Sequence, residues 1–256
     1  MLKKIYFFYL TKTGEAFYTV RRGFVMTKKE RRIAPIAHIR TDFKEKFGIP
    51  RQSGRAPSLT ARIVFEPAYR NRAALKEIER FSHLWLIFDF SKVEETPFVP
   101  TVRPPRLGGN KRVGVFASRS PFRPNRLGLS CVKLVGIERT KTEGDVLVVS
   151  GADLLDNTPI FDVKPYLPYA DAIPNAVGGY ADEHTEDRLL VDFPQALLLK
   201  IPEEKRAGIL ECLTDDPRPS YQEDGTRIYG MQFAGLEIKF RVEHKKLTVL
   251  EVTENV

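Results

Sequence analysis

Long apolar runs are missing from this chain, and none approaches the length a helix needs to cross a bilayer. Cysteine is nearly absent. Cys131 and Cys212 lie far apart, with no C-x-x-C or metal-ligand spacing, a usage that fits a reducing cytosol. Cys131 stands in an apolar strand-like run, where a buried thiol is expected. Histidine is scarce too. His38, His83, His184 and His244 show neither H-x-x-x-H nor H-x-H pairing, so no metal site is expected. His83, just ahead of LWLIFDF, reads as a structural histidine. No G-x-G-x-x-G follows a strand and no G-x-x-x-x-G-K-[ST] occurs, which leaves Rossmann and P-loop nucleotide sites without support. No serine sits in a nucleophile elbow. There is no internal repeat and no low-complexity tract.

What is present is the composition of a folded body: 256 residues, 42% hydrophobic and 29% charged. The net charge of +8 invites a nucleic-acid reading, tempered by its distribution. Residues 1–32 hold nine Lys/Arg against two Glu, a net of +7. The body is polarised instead: 101–126 carries seven basic residues and no acid, whereas 151–187 carries eight acids and Lys164. The apolar run in the opening MLKKIYFFYL is short for a signal core, and no cleavage-like site follows. Met26, followed by TKKERR, reads as the true translation start, with residues 1–25 an over-extension.

Runs rich in β-branched and aromatic residues predict strands at 33–40, 59–65, 83–90, 112–117, 127–137 and 145–154. NRAALKEIERF predicts one helix over 71–81, with Asn71 as N-cap and Ala74, Ile78 and Phe81 on one face. Strands so spaced, without alternating long helices, argue for a mainly β (α+β) fold with a mixed or a closed sheet, a barrel being one such form, and against a doubly wound parallel sheet. Past residue 180, ADEHTED reads as an exposed acidic linker. A helix is expected over 202–213, then two or three strands over 227–252 with turns at Ala234-Gly235 and Lys245-Lys246. The expected organisation is an N-terminal extension (1–32), a main domain (33–180) and a small α+β domain (181–256).

The segment GVFASRSPFRPNRLGLS (114–130) cannot be a helix. Ser120 and Arg123 each precede a proline, which predicts a stiff, extended loop. An arginine on a pre-ordered loop loses less entropy when its planar fork meets a phosphate or carboxylate. Arg119, Arg123 and Arg126 are placed to do this, and TVRPPRLGGNKR upstream repeats the device. Gly128 is expected to admit a ligand or another backbone. In SGADLLDNTPIFDVKPYLPYAD (150–171), Asp153, Asp156, Asp162 and Asp171 stand near Lys164, Tyr166 and Tyr169, with Asn157 at a position suited to positive φ. This cluster reads equally as a general-base site or as the electrostatic partner of the basic loop.

FKEKFGIPRQ, FSHLWLIFDF, TVRPPRLGGNKRVGVFASRSPFRPNRLGLS, DLLDNTPIFDVKPYLPYAD and DDPRPSYQ, in that order, resemble the TrmO (YaeB) family of tRNA adenine N6-methyltransferases with a TsaA-like domain. The likeness runs from about residue 33 to the C-terminus. It implies a single-sheet, non-Rossmann β-barrel that uses S-adenosylmethionine to methylate N6 of N6-threonylcarbamoyladenosine at tRNA position 37, in a cytoplasmic homodimer. The family's cofactor contacts map onto Pro50, Arg51, Gln52, Ser91, Lys92, Arg119, Leu129, Asp153, Leu154, Leu155 and Asp156. RPNRLG stands where the family usually has RPNPIG, and DNTP where it has DGTP. For the chemistry, Asp162 and then Asp156 are the expected bases, with Lys164 or Tyr166 as donors. Arg103, Arg106, Lys111, Arg112, Arg123 and Arg126 are expected on tRNA phosphates. The competing readings are a related methyltransferase with a small-molecule acceptor and a non-catalytic RNA-binding protein.

Overall fold

Apolar side chains at every second position build a ring of strands in the computed structural model, which describes residues 8–10, 16–20, 24–27, 32–94, 96–104, 107, 111–184, 188–218 and 224–254. Arg106, the linker residues 185–187 and the 219–222 part of DDPRPSYQ lie outside the described residues. The chain divides into two units, Met1–Ala34 and Pro35–Val256. In the first, β1 (Phe8–Leu10), β2 (Ala16–Val20) and β3 (Phe24–Thr27) form an antiparallel sheet in sequence order. Met26 stands within β3, opposite Tyr18.

The second unit begins with β4 (Ala37–Arg40), β5 (Thr60–Phe65) and β6 (His83–Asp89). A two-stranded ribbon of β7 (Thr101–Val102) and β8 (Val113–Gly114) follows, then β9 (Leu127–Thr140), β10 (Gly144–Ser150) and β11 (Thr158–Pro165). Six of these strands close into an antiparallel barrel in the order β10-β5-β4-β11-β6-β9, with β9 pairing back onto β10. Ala37, Ile39, Ile63, Leu84, Leu86, Phe88, Val132, Leu147, Val149 and Ile160 fill its interior. Beyond it come the short helices α1 (Pro168–Asp171) and α2 (Gln195–Leu198), with β12 (Leu190–Asp192) between them. The helix α3 (Glu203–Thr214) and a sheet in the order β12-β15-β14-β13 complete the fold. The last three strands are β13 (Tyr229–Phe233), β14 (Leu236–Glu243) and β15 (Lys246–Glu254). The mainly β, barrel-centred expectation holds.

Several local expectations fail, most of them for a packing reason. The 71–81 helix is instead two 3-10 turns, Arg72–Leu75 and Ile78–Arg80, separated by Glu77 at φ 70. Asn71 does cap the first, accepting from the Ala73 amide. Leu75 and Ile78 both pack on the barrel core, one from each side of the break. The 112–117 strand shrinks to Val113–Gly114, because Val115–Ala117 turns to bury Val115. The 114–130 loop is stiff but not extended: Ser118 and Ser120 hydroxyls and the Pro121 carbonyl close successive tight turns. Cys131 is half-exposed rather than buried, since the alternation of β9 turns Ser130 and Val132 inward. Burial, and then the charge of Asp171, push its thiol above the ordinary range, so it is no ready thiolate. The second C-terminal turn falls one residue early, with His244 and Lys245 both at positive φ.

Gly128 faces into the barrel opposite Phe88, whose ring fills the space that a side chain there would take. A Cβ there would stand 2.2 Å from the tip of the Phe88 ring. Phe88 is buried and cannot swing into solvent. Gly128→Ala is therefore expected to lower the unfolding free energy by about 1–3 kcal/mol, read as a fall in the urea midpoint; an unchanged midpoint would mean that the barrel interior has room to spare.

Candidate active site

In a closed antiparallel ring each strand reverses the chain, so alternate connections emerge at the same end. Here the connections 41–59 (β4 to β5), 90–126 (β6 to β9) and 151–157 (β10 to β11) share one rim. They carry every residue mapped to the cofactor except Leu129, which lies two positions into β9.

The three connections are bound to one another. The Gly54 amide donates to the Gly151 carbonyl at 2.8 Å, and the Gly151 amide to the Leu59 carbonyl at 3.1 Å. Gly151, at φ 74, brings a Cβ position within 3.1 Å of the Gly54 backbone, so this crossing requires glycine. Lys44 Nζ reaches Asp156 Oδ2 at 2.5 Å, and the Thr41 amide reaches its Oδ1 at 3.0 Å. Burial alone would raise the Asp156 carboxyl, but Lys44, the Thr41 amide and Arg40 together hold it below the ordinary range. Lys46 Nζ donates to the Lys92 carbonyl at 2.9 Å, tying Ser91 and Lys92 to the first connection. Asn157 takes up positive φ (63°) as expected and accepts from Arg40.

At the centre, Arg119 donates to Gln52 Oε1 at 2.5 Å, and Gln52 Nε2 donates to the Arg51 carbonyl. Asp153 lies alongside, its Oδ1 accepting from the Ser130 hydroxyl at 2.5 Å. Burial pushes the Asp153 carboxyl above its ordinary range, against the pull of Ser130, of the backbone amides of Asp153 and Ser53, and of the Arg119 cation. An amide, a guanidinium and a desolvated carboxyl thus meet where three loops join.

Other mapped residues take supporting places. Pro50 is buried, and Arg51 turns its guanidinium to the carbonyls of Asp216 (2.9 Å) and Arg218 (2.5 Å). Arg55 pairs with buried Asp215, and Phe43, Ala56 and Leu59 join the core built by α3 and the C-terminal sheet. The C-terminal region therefore seats the loop that presents Gln52. Leu154 is sealed in the barrel core, and the Leu155 carbonyl is taken by Thr158, so any contact they make beyond the fold runs through the remaining backbone groups and the half-buried Leu155 side chain.

Asp162 sits on the outer wall. A bulge in β11 between Ile160 and Asp162 shifts the register, pairing Ile160 with inward Phe88 but Asp162 with outward Ile87. Ile87 also pairs with Leu129, which is 55% exposed. Leu129, Ile87 and Asp162 hence form one row across three strands, two residues below the rim on β6 and β9, or about 7 Å. Lys164 pairs with Asp162 at 3.0 Å and belongs to the next row down, with Trp85. Tyr166 lies toward the far rim, its amide on the His83 carbonyl and its ring against His83 and Trp85. The structure thus brings Asp162 beside the Leu129 row and leaves Tyr166 apart. Asp156 belongs to the rim itself.

The basic connection divides in two. Arg123 donates to the Val115 and Ser118 carbonyls, and Arg126 to the Val93 carbonyl, so both brace the loop. Arg112 binds the Thr101 hydroxyl and carbonyl across the β7–β8 ribbon. Arg103, Lys111, Arg112 and Arg119 are exposed. The acids after residue 150 draw cations from both sides: Arg119 lies near Asp153, but Asp156 is met by Lys44 and Asp162 by Lys164. Sequence reasoning passed over Ser130 and Lys44. Ser130 had a visible signal, a hydroxyl at an inward position between Gly128 and Val132; Lys44 had none.

Among the described residues no three His, Cys, Asp or Glu side chains gather as metal ligands would, and no helix is long and apolar enough to cross a membrane.

Residues 38–172 match the family model of the tRNA-methyltransferase O N-terminal domain, and residues 186–255 that of the TrmO C-terminal domain. The chain is 40% identical over 217 residues to the tRNA (adenine(37)-N6)-methyltransferase of Escherichia coli K12, covering 81% of this chain and 91% of that one. It is 40% identical over 231 residues to a putative S-adenosylmethionine-dependent methyltransferase, RcsF, of Pseudomonas aeruginosa, covering 86% and 96%. A crystal structure of TrmO from Pseudomonas aeruginosa superposes with a TM-score of 0.72 at 33% identity, covering 91% of this chain and all of that one. With two family models matching successive parts of the chain and this identity across most of its length, the chain belongs to the tRNA-methyltransferase O family.

Proposed function

We propose that this chain methylates N6 of adenine 37 in tRNA with S-adenosylmethionine as donor, that the acceptor adenine already carries a threonylcarbamoyl group, and that the enzyme works as a cytoplasmic homodimer. The observation that carries this reading is the meeting of Gln52, Arg119 and Asp153 at one rim, beside a connection with seven cations and no acid between 101 and 126. The donor set fits the cofactor. The Arg119 guanidinium suits an amino-acid carboxylate, buried Asp153 suits an ammonium or ribose hydroxyls, and exposed Leu129 offers an apolar contact. Gln52 supplies one amide that both donates and accepts. When bound, S-adenosylmethionine supplies a methyl group made electrophilic by its sulfonium. Exposed Tyr169, Ile173 and Val177, close together in sequence, support a second copy as partner. A tRNA substrate implies the cytoplasm.

The acceptor nitrogen in a threonylcarbamoyl adenine is part of a urea. Its lone pair is delocalised, so its proton must leave for it to become a good nucleophile. The assignment of Asp162 as base is supported by its place in the Leu129 row, where the bulge turns it outward, and by Lys164 at 3.0 Å to balance its charge. Asp156, committed to Lys44 and the Thr41 amide and held low, suits loop anchoring better than proton abstraction. Tyr166, engaged with His83 and Trp85 near the far rim, has the weakest support as a donor within the same chain.

Nucleoside mass spectrometry of tRNA from cells lacking this gene tests the reading. One methylated threonylcarbamoyl nucleoside should vanish and return with the wild-type gene; an unchanged nucleoside profile refutes the enzyme, and loss of a plain methyladenosine refutes only the acceptor. Asp162→Asn should slow single-turnover methylation at saturating cofactor by about 10²-fold or more, and a wild-type rate would remove Asp162 as base. Replacing Lys111 and Arg112 together with alanine should weaken tRNA binding and flatten the dependence of log affinity on log salt by roughly one unit for each phosphate no longer neutralised. An unaltered slope would exclude those side chains from the phosphates.

A further inference from the structure

The basic connection carries exposed aromatic rings that neither the cofactor cluster nor the phosphate contacts use. Phe116 is 72% exposed and Phe98 is 57% exposed. They are drawn together by the β7–β8 ribbon, whose base is closed by the Val115 amide on the Pro100 carbonyl at 2.9 Å. Their rings lie within 25° of parallel with centroids 6.3 Å apart. The Arg123 guanidinium lies 5.8 Å from the Phe116 ring centroid, while its Nη1 holds the carbonyls on either side of that short turn. Phe122, also exposed, follows in the same loop.

Leaving a phenyl ring in water forgoes about 1.5–3 kcal/mol of burial. Two such rings on a segment braced by a buried Val115 and a doubly bonded Arg123 cannot collapse onto the barrel. We propose that Phe98 and Phe116, with the Arg123 plane, form a platform on which unpaired bases of the tRNA loop around adenine 37 stack. The proposal rests on the methyltransferase reading above and names the part of the substrate that this surface takes. Stacking suits it because every base offers a flat π-face, whereas a base inside a duplex has none free. Only two residues separate Phe116 from Arg119, which reaches Gln52, so a stacked base would lie next to the cofactor cluster.

Charge selects the occupant. An identical copy seated on this surface through a two-fold axis would oppose the acid-free 101–126 segment to itself, cation against cation. A nucleic acid brings phosphates between its bases and meets both features at once.

The test compares Phe116→Leu, Phe98→Leu and Phe116→Trp with wild type in binding an unmodified tRNA transcript and a fully paired RNA duplex. At an exposed position leucine keeps the fold and removes only the π-face, which matching melting temperatures would verify. Phe116→Leu is expected to weaken tRNA binding about tenfold, some 1.4 kcal/mol, with duplex binding and the salt slope unchanged. Phe116→Trp should bind tRNA at least as tightly as wild type. The platform is refuted if both leucine variants bind tRNA like wild type, or if they lose tRNA and duplex equally. It is refuted as well if they change only the self-association seen by sedimentation velocity. Methylation of bulk tRNA by the wild-type preparation separates the two levels. Where it is present and both leucine variants bind normally, only the platform falls; where it is absent, the underlying reading falls and the platform with it.

Discussion

Closure of six antiparallel strands into a ring is the constraint from which the rest of this molecule follows. A closed sheet has no free edge, and its strands cannot slide past one another without breaking every ladder. Antiparallel neighbours also oblige the chain to change ends at each strand. The connections 41–59, 90–126 and 151–157 therefore share one rim, while the 3-10 turns after β5 and the β9–β10 hairpin share the other. Interior size is set by which residues face inward. Large Phe88 is accommodated because Gly128 stands across from it, and Ala37 and Ala61 leave room for Ile and Leu neighbours. The rim is in consequence a fixed frame.

A frame does not by itself order a nineteen-residue loop such as 41–59. That ordering comes from the C-terminal region, which takes Phe43, Ala56 and Leu59 into its own core and meets Arg55 with buried Asp215. Removing one partner of such a pair strands a charge away from water, typically at about 3–5 kcal/mol. Arg51 adds two bonds to carbonyls after α3. Gln52 is the residue between these anchors, and its side chain is held by Arg119 and the Arg51 carbonyl, so the entropy of fixing it is lost at folding.

Charge on the rim is handled in two ways. Carboxylates are met by lysines, Asp156 by Lys44 of another connection and Asp162, below the rim, by Lys164 of its own strand. Guanidiniums of the basic connection are satisfied in part by neutral carbonyls, as with Arg123 on Val115 and Ser118. A carbonyl fixes a guanidinium without cancelling its charge. The same side chains can thus stiffen the loop and keep it cationic, which joins the prolines, the serine-closed turns and the positive charge in one device.

Much of this was legible in the residues. Period-two apolar runs placed β4, β5, β6, β9 and β10, because one inward face must be apolar whatever the neighbour is. Pro202 and Asp215 bracketed α3, and Asn157 announced its positive φ, because these are properties of single residues and their immediate neighbours. The family motifs marked which residues to watch. They did not say what each would do. The 71–81 helix gave way to two short turns around Glu77 at φ 70, and Cys131 faced outward because β9 took its register from Phe88 across Gly128. Asp162 is the clearest case. Two positions from inward Ile160, it should share that face by alternation, and a single extra residue in the pairing with β6 sends it to the outer wall instead. Whether a bulge forms depends on two strands at once, so no reading of one strand could decide it. Local chemistry was written along the chain; which face, which rim and which partner were decided only when the ring closed.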